Sequence, residues 1–516
     1  MEIKNLSVLN SKHDSYWISS SQNQNYPILN EDIKVDVAII GGGIVGITTA
    51  FLLKNKGVKV AVIESDKIMH GASGHTTAKI TSQHNLIYHK LNITMGEEKA
   101  KQYARANEDA IKFIADLVKV RNIDCDFSWC PAYVYTNENK YIDKIEMEVK
   151  TAKSLGIKAS YLENTPLPFS VKAAICFEKQ AQFHPLKYLK DISKDIQGSG
   201  SYIFEHTKAV DIEKESSTVI TDKCKKIKAT KIIIASHFPC FDGMGMYFAR
   251  MYAEKSYVLA AKVKDKFPKG MYISAEDPGR SLRSQKFNDS EIVLVGGEHH
   301  RTGTGQNTNI HYENLANFAS ENFNAEKILY RWSTQDYMTV DSIPYVGYLT
   351  THTPNILVAT GFGKWGMTNG TASAKILSDL VLNGKNPWTE VYDPSRFDVT
   401  NIPKFISQNL VVAKEFVLGK IEIPNSTKIE NGEAKVILIK GKKYGVYRDG
   451  NGELHIVDIT CTHLGCELVW NEAESTWDCP CHGSRFSYDG EIVEGPAFNK
   501  LKCKGEGKNE RDANIF

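Results

Sequence analysis

No stretch of the 516 residues is both long and apolar enough to suggest a membrane span. The most apolar segment, Val35 to Leu53, is broken by four glycines, which suits a strand–turn–helix unit better than a bilayer-crossing helix. The start, Met1-Glu-Ile-Lys-Asn-Leu-Ser-Val-Leu-Asn10, lacks a basic stretch, an apolar core and a small-residue cleavage site, so no secretion signal is expected. An excess of one charge is also missing: 63 Lys and Arg face 61 Asp and Glu, a net +2, so nothing electrostatic favours nucleic acid. Internal repeats and low-complexity tracts are absent too. With 42% hydrophobic residues the chain can bury several cores, and the expectation is a cytoplasmic protein of roughly two to four folding units. Five cysteines, Cys125, Cys130, Cys176, Cys224 and Cys240, are scattered without a disulfide framework, as expected where thiols stay reduced.

Four of the remaining five cysteines are not scattered. Cys461 and His463, then Cys479 and His482 after fifteen intervening residues, supply two thiolates and two imidazoles from two short loops. Such a set suits a two-iron centre in which one iron takes both cysteines and the other both histidines. Structural zinc is the alternative. It usually takes ligands spaced Cys-x2-4-Cys, and it has no use for Cys466 and Cys481, so the cluster is favoured. The loops Cys461-Thr-His-Leu-Gly-Cys466 and Cys479-Pro-Cys-His-Gly-Ser484 resemble the Rieske family residue for residue. The resemblance implies that Cys461, His463, Cys479 and His482 bind iron and that Cys466 and Cys481 form a disulfide. Respiratory members have a serine two residues after the last histidine and a tyrosine two residues later, both donating hydrogen bonds to sulfur. Here Ser484 is kept and Phe486 replaces the tyrosine.

A second motif lies near the N-terminus. Asp36-Val-Ala-Ile-Ile40 reads as a buried parallel strand, running into Gly41-Gly-Gly43-Ile-Val-Gly46 and a helical pattern from Ile47 to Lys56. Gly41 permits a tight turn, Gly43 lets a pyrophosphate approach, and Gly46 lets helix pack on strand, with the helix N-terminus facing the phosphates. Gly57-Val-Lys-Val-Ala-Val-Ile63 gives the next strand, ending at Glu64, where a carboxylate can accept hydrogen bonds from ribose hydroxyls.

Residues 15 to about 395 resemble the D-amino-acid oxidase superfamily, sarcosine and glycine oxidases included. Gly71-Ala-Ser-Gly-His-Thr-Thr-Ala-Lys79 resembles the loop beside the flavin, Lys231-Ile-Ile-Ile-Ala-Ser-His237 an adenine-side strand, and Asn355 to Gly370 the terminal flavin-binding strand and loop. The resemblance implies FAD contacts from Ser73, Gly74, His75, Thr76, Lys79, Ala235, Gly361, Gly363, Trp365, Gly366 and Met367. The late glycine segment also fits a nucleotide fingerprint, but Asn383-Gly-Lys-Asn-Pro387 comes next, where another strand ending in an acid would be needed. The implied fold is an α/β FAD-binding Rossmann-like domain with an interleaved antiparallel substrate sheet, and a C-terminal all-β Rieske domain. Residues about 30–90, 150–240 and 331–395 are expected to bind FAD, and about 120–149 and 241–330 to build the substrate domain. A linker helix at 396–430, centred on Phe405 to Leu418, then leads to the Rieske domain at 431–510.

Together the two resemblances imply a cytoplasmic oxidoreductase that takes an electron pair from an amine or amino-acid-like donor and passes electrons singly to the cluster and an outside carrier. Sarcosine oxidase relatives carry an oxygen-activating lysine on a strand comparable to Glu291 to Gly296, which has none here; that favours a dehydrogenase. Arg283, Arg301 and Arg331 are candidates for a substrate carboxylate, and His299, His300 and Tyr257 for an amine. Between Asp458 and Glu494 eight carboxylates accompany one arginine, a solvated face or a dock for a basic partner. Two other readings stay open: an NAD(P)H-dependent ferredoxin-reductase-like protein and a non-catalytic redox sensor.

Overall fold

The computed structural model of the chain describes residue 8 and residues 11–22, 24–305, 307–396, 402–418 and 428–503, with the backbone alone at 414–418. Residues 397–401 and 419–427 of the expected linker, and 504–510 of the expected C-terminal domain, lie outside the described residues. Two compact units emerge. One comprises Met1–Tyr247, Ser256–His299 and His311–Thr400; the other comprises Phe248–Lys255, His300–Ile310 and Asn401–Phe516.

In the first unit, Val37–Ile40, Val60–Ile63, Lys231–Ile234 and Ile356–Thr360 are short apolar runs, almost wholly buried. Strands covered on both faces need that composition. They lie parallel in a six-stranded sheet whose order is Tyr345–Tyr348, Ile356–Thr360, Lys231–Ile234, Val37–Ile40, Val60–Ile63, Tyr202–Phe204. Both glycine-rich segments therefore leave the same edge of one sheet. Helices Ile44–Lys54 and Gly366–Asn383 begin at those segments and pack together. At Gly370 a Cβ would stand 2.9 Å from Ile44 Cγ2, so the close crossing requires the missing side chain.

The larger sheet has ten strands. Along its path lie Lys12–His13, Ala325–Thr339, Met251–Val263, Ser290–Arg301, Arg280–Phe287, Met271–Ser274, Ser128–Thr136, Ala173–Gln182 and Lys79–Ile80, with Ala159–Leu162 beside Ala173–Gln182. Met271–Ser274 runs parallel to Ser128–Thr136, and Lys12–His13 parallel to Ala325–Thr339, so the sheet is mixed rather than wholly antiparallel. These partners come from distant parts of the chain, and long connections permit parallel pairing where hairpins do not. Strands Ala159–Leu162, Ala173–Gln182 and Ala325–Thr339 belong to this sheet as well. The stretches assigned from about 150 to 240 and from 331 to 395 thus serve both sheets.

In the second unit, helix Ile402–Leu418 precedes two antiparallel sheets. One contains Ala434–Ile439, Lys442–Arg448 and Leu454–Asp458; the other contains Val469–Asn471, Thr476–Asp478, Arg485–Ser487 and Ile492–Glu494. Trp477, Phe486, Leu468 and Val457 form their common core with Cys461, Cys466, Cys479 and Cys481. Among the described residues no helix is long and apolar enough to cross a membrane.

Gly445 is where this core is tightest: a Cβ there would stand 2.3 Å from the Trp477 ring and 2.6 Å from Ile459 Cγ2. Overpacking costs about 1–3 kcal/mol. Gly445→Ala is therefore expected to lower the unfolding midpoint of the second unit; an unchanged midpoint would contradict the packing.

Candidate functional site

Gly41 follows the central strand Val37–Ile40 and donates its N–H to the Ile63 carbonyl of the next strand at 2.9 Å. Its φ is +110°, and a Cβ would stand 2.4 Å from the Ala235 carbonyl oxygen, so only glycine lets the turn pass the neighbouring strand. At Gly46 a Cβ would stand 1.9 Å from Gly41 O, which seats the helix on its own entry turn. Gly43 is the helix N-cap and offers no side chain. Ser73 Oγ accepts from the Ile44 N–H at 3.0 Å, bringing the Gly71–Lys79 loop to the helix start. Glu64 accepts from the Gly42 N–H at 2.8 Å and the Asp66 N–H at 3.1 Å. A helix N-terminus with a bare backbone approach and a strand-terminal carboxylate suits a dinucleotide.

Buried side chains hold the Gly71–Lys79 loop. Ser15 donates to the Gly74 carbonyl, Trp17 Nε1 to that of Thr76 and Trp332 Nε1 to that of His75. Arg283 donates to the carbonyls of Thr77 (3.1 Å), Ala78 (2.8 Å) and Phe183 (3.3 Å), and to Gln285 Oε1. Its guanidinium is thus bound to the scaffold and is not available as a substrate anchor. Lys79 donates to the Tyr272 carbonyl at 3.1 Å and to Ser281 Oγ, and burial, followed by nearby Arg283, lowers its pKa to about 7. Strand Ser290–Arg301 carries no lysine, yet Lys79 brings an easily deprotonated amine to the adjacent strand Arg280–Phe287. Distance along the chain hid that proximity.

At the other glycine segment, Gly361 and Gly363 have φ of +75° and +55°. Trp365 and Gly366 open the helix, and Met367 is buried in its first turn. Trp365 stacks on His84, with centroids 4.9 Å apart and planes inclined by 24°. No motif surrounds His84 to mark it in the sequence. Its Nε2 lies 2.8 Å from the Thr81 carbonyl and its Nδ1 2.6 Å from Tyr103 Oη, and burial lowers its pKa to about 3. A carbonyl only accepts, so the neutral ring carries its proton on Nε2, and Nδ1 accepts a hydrogen bond from the Tyr103 hydroxyl.

The other substrate candidates are also engaged. Arg331 donates to the Val8 carbonyl at 2.7 Å, His299 pairs with Asp277 at 3.1 Å, and Tyr257 is buried against His311 and Tyr312. His300 and Arg301 belong to the second unit, where His300 Nδ1 lies 2.9 Å from the Arg301 carbonyl.

In that unit the two Cys/His loops share one construction. The Cys461 N–H donates to the Cys466 carbonyl and the Cys479 N–H to that of Ser484, both at 2.8 Å; Gly465 and Gly483 return bonds to the Cys461 and Cys479 carbonyls. Both glycines have positive φ, +81° and +78°. Cys461 Sγ receives the N–H groups of His463 and Leu464, and Cys479 Sγ those of Cys481 and His482. Cys466 and Cys481 are joined by a disulfide, with Cα atoms 6.6 Å apart. The Cys461 and Cys479 thiols share a hydrogen bond that acidifies Cys461 to about 7 and pushes Cys479 well up. The His463 and His482 rings lie 5.1 Å apart and nearly perpendicular. His482 Nδ1 is buried without a hydrogen-bond partner. Burial, then His463 and Arg301, lowers its pKa to about 4, so the ring is neutral as a metal ligand must be. Two thiols and two imidazoles in one place, that of His482 neutral, fit the donor set of a Rieske centre.

Five of the eight carboxylates lie beside Arg485, Lys442 or Lys443. Buried Arg485 pairs with Asp478 at 3.2 Å and Glu494 at 3.3 Å, and approaches Glu474 at 4.0 Å. Lys442 and Lys443 pair with Asp458 and Glu467. That pattern gives little support to a dock for a basic partner.

A dinucleotide-binding sheet and a paired Cys/His centre define a flavin- and iron–sulfur-dependent oxidoreductase. The chain belongs to the FAD dependent oxidoreductase family (DAO), matched over residues 36–380, and carries a Rieske [2Fe-2S] domain over residues 419–504. It is 45% identical over 493 residues to YhfW of Bacillus subtilis (strain 168), named as a Rieske 2Fe-2S iron–sulfur protein, covering 95% of this chain and 97% of that one. Glycine oxidase from Geobacillus kaustophilus shares the fold with a TM-score of 0.60 at 18% identity, over 70% of this chain and 99% of its own. L-proline dehydrogenase from P. horikoshii does so at 0.60 and 20%, over 72% and 98%.

Phe486 is fully buried at the position where respiratory relatives place a tyrosine. One sulfur-directed hydrogen bond, about 1 to 1.5 kcal/mol, corresponds to about 40–65 mV for one electron. Phe486→Tyr is expected to raise the cluster potential by about that amount. Voltammetry finding no rise, with the hydroxyl seen bonded to sulfur, would refute the assignment.

Proposed function

We propose that the protein is a dehydrogenase for an amine or amino-acid-like substrate, in which FAD would supply two-electron chemistry and the cluster a one-electron outlet to an outside acceptor. What carries the reading is one chain with both a flavin-type sheet and a two-cysteine, two-histidine centre. A Rieske cluster accepts one electron at a time, so its presence points to a one-electron outlet. The amine class is supported by the fold shared with an enzyme named glycine oxidase. Absence of a lysine from Ser290–Arg301 no longer supports the dehydrogenase assignment, because Lys79 approaches from elsewhere. The assignment now rests on the cluster.

Gly41, Gly43, Gly46 and Glu64 would hold the dinucleotide part of FAD, with Ser73, Gly74, His75, Thr76, Lys79, Ala235, Gly361, Gly363, Trp365, Gly366 and Met367 as its further contacts. Cys461, His463, Cys479 and His482 would hold the cluster. The scattered thiols Cys125, Cys130, Cys176, Cys224 and Cys240 are unpaired, which supports a cytoplasmic setting. An NAD(P)H-dependent route has less support: the two glycine segments share one sheet, and among the described residues no strand follows Gly366–Asn383 before Ala434.

Purified protein is expected to contain one FAD, two irons and two acid-labile sulfides per chain. His463→Ala or His482→Ala should remove the iron and sulfide and leave FAD bound; one zinc with no sulfide would end the reading. The route is tested with Cys479→Ser under anaerobic conditions. With an amine that bleaches the flavin, the variant should still bleach but lose reduction of a one-electron carrier such as ferricyanide or cytochrome c. Undiminished carrier reduction would take the cluster off the path.

A further inference from the structure

The second unit joins the cluster domain to two stretches far away in sequence, Phe248–Lys255 and His300–Ile310. Thr308 bonds Asn471 and Ala473, and other contacts fall on the loop Cys479–His482. Arg301 Nε donates to the Pro480 carbonyl at 3.3 Å, and its Nη2 donates to the Cys481 carbonyl at 3.5 Å. Nη1 is anchored on Gln408 Oε1 at 2.6 Å, and the guanidinium lies 5.8 Å from the Tyr252 ring centre. Gly303 follows at φ +72°, where a Cβ would stand 2.5 Å from Pro480 N. Phe248 meets His482 edge to face at 5.8 Å. Of the two histidines, His482 is buried and His463 partly exposed beside exposed Leu464.

The two carbonyls held by Arg301 belong to the peptide units Pro480–Cys481 and Cys481–His482. The N–H groups of those same units are the ones that reach Cys479 Sγ. In a planar trans peptide the C=O and N–H point in opposite directions, so a cation on the oxygen side polarises each N–H toward the sulfur. We propose that Arg301 is a positioning residue that tunes the iron–sulfur cluster, acting through these two peptide units to strengthen their hydrogen bonds to Cys479 Sγ. The inference rests on Cys479 being a cluster ligand. The fixed positive charge of Arg301 and the strengthened bonds both favour the reduced, more negative state. Lysine would be an incomplete substitute, because its single ammonium lacks the planar fork.

The test is the midpoint potential of Arg301→Gln, Arg301→Lys and Gln408→Ala holoproteins, with amide hydrogen exchange across Cys479–Ser484. Arg301→Gln is expected to keep iron and sulfide, to disfavour reduction by about tenfold, equivalent to about 59 mV, and to speed exchange at Cys481 and His482. Arg301→Lys should fall between it and the parent. A fully loaded Arg301→Gln with parental potential and parental exchange would overturn the proposal. Should Arg301→Gln lose its cluster, Gln408→Ala decides: a lowered potential with faster exchange supports the proposal, and parental values overturn it. A parent protein without iron and sulfide would instead end the ligand assignment itself.

Discussion

Concentrated negative charge on cysteine sulfur has to be met by hydrogen-bond donors, and the C-terminal domain meets it with backbone. Two loops of the same construction each close on themselves through a bond from their first cysteine and a left-handed glycine, and each turns two N–H groups onto that cysteine's sulfur. Backbone donors are already oriented by folding, so they need not reorganise when charge arrives. The buried imidazole of His482, neutral and without a partner at Nδ1, fits the ligand set of a metal centre.

A different constraint governs the flavoprotein unit, where backbone must pass backbone. Ala235 O and Gly41 O occupy the space where side chains would stand at Gly41 and Gly46, so the entry turn and its helix can close only without them. The loop from Gly71 to Lys79 then has to be held against that turn. Trp17, Trp332 and Arg283 do so through its carbonyls. Arginine suits this task because its planar fork can satisfy several acceptors at once.

Much of this was legible in the sequence because it is local. The glycine turn, the strand ending at Glu64 and the two Cys/His boxes are short patterns whose chemistry depends on residues a few positions apart. Roles set by distant partners were not legible. Arg283 and Arg331 offered substrate-binding chemistry by residue type, but each donates to a carbonyl at least a hundred residues away, that of Phe183 or of Val8. The parallel pairing of Met271–Ser274 with Ser128–Thr136 was hidden for the same reason.

By itself, the sequence determined the kinds of chemistry available: a turn stripped of side chains that can face a pyrophosphate, and two thiols and two imidazoles at ligand spacing. Tertiary structure alone decided which cations serve the scaffold, that Lys79 is buried enough to titrate near neutrality, and that His84 lies under Trp365. It also decided that Arg301 reaches the carbonyls of Pro480 and Cys481. Ligand spacing is written in neighbouring residues, whereas desolvation and the sharing of a donor depend on which remote segments the fold brings together.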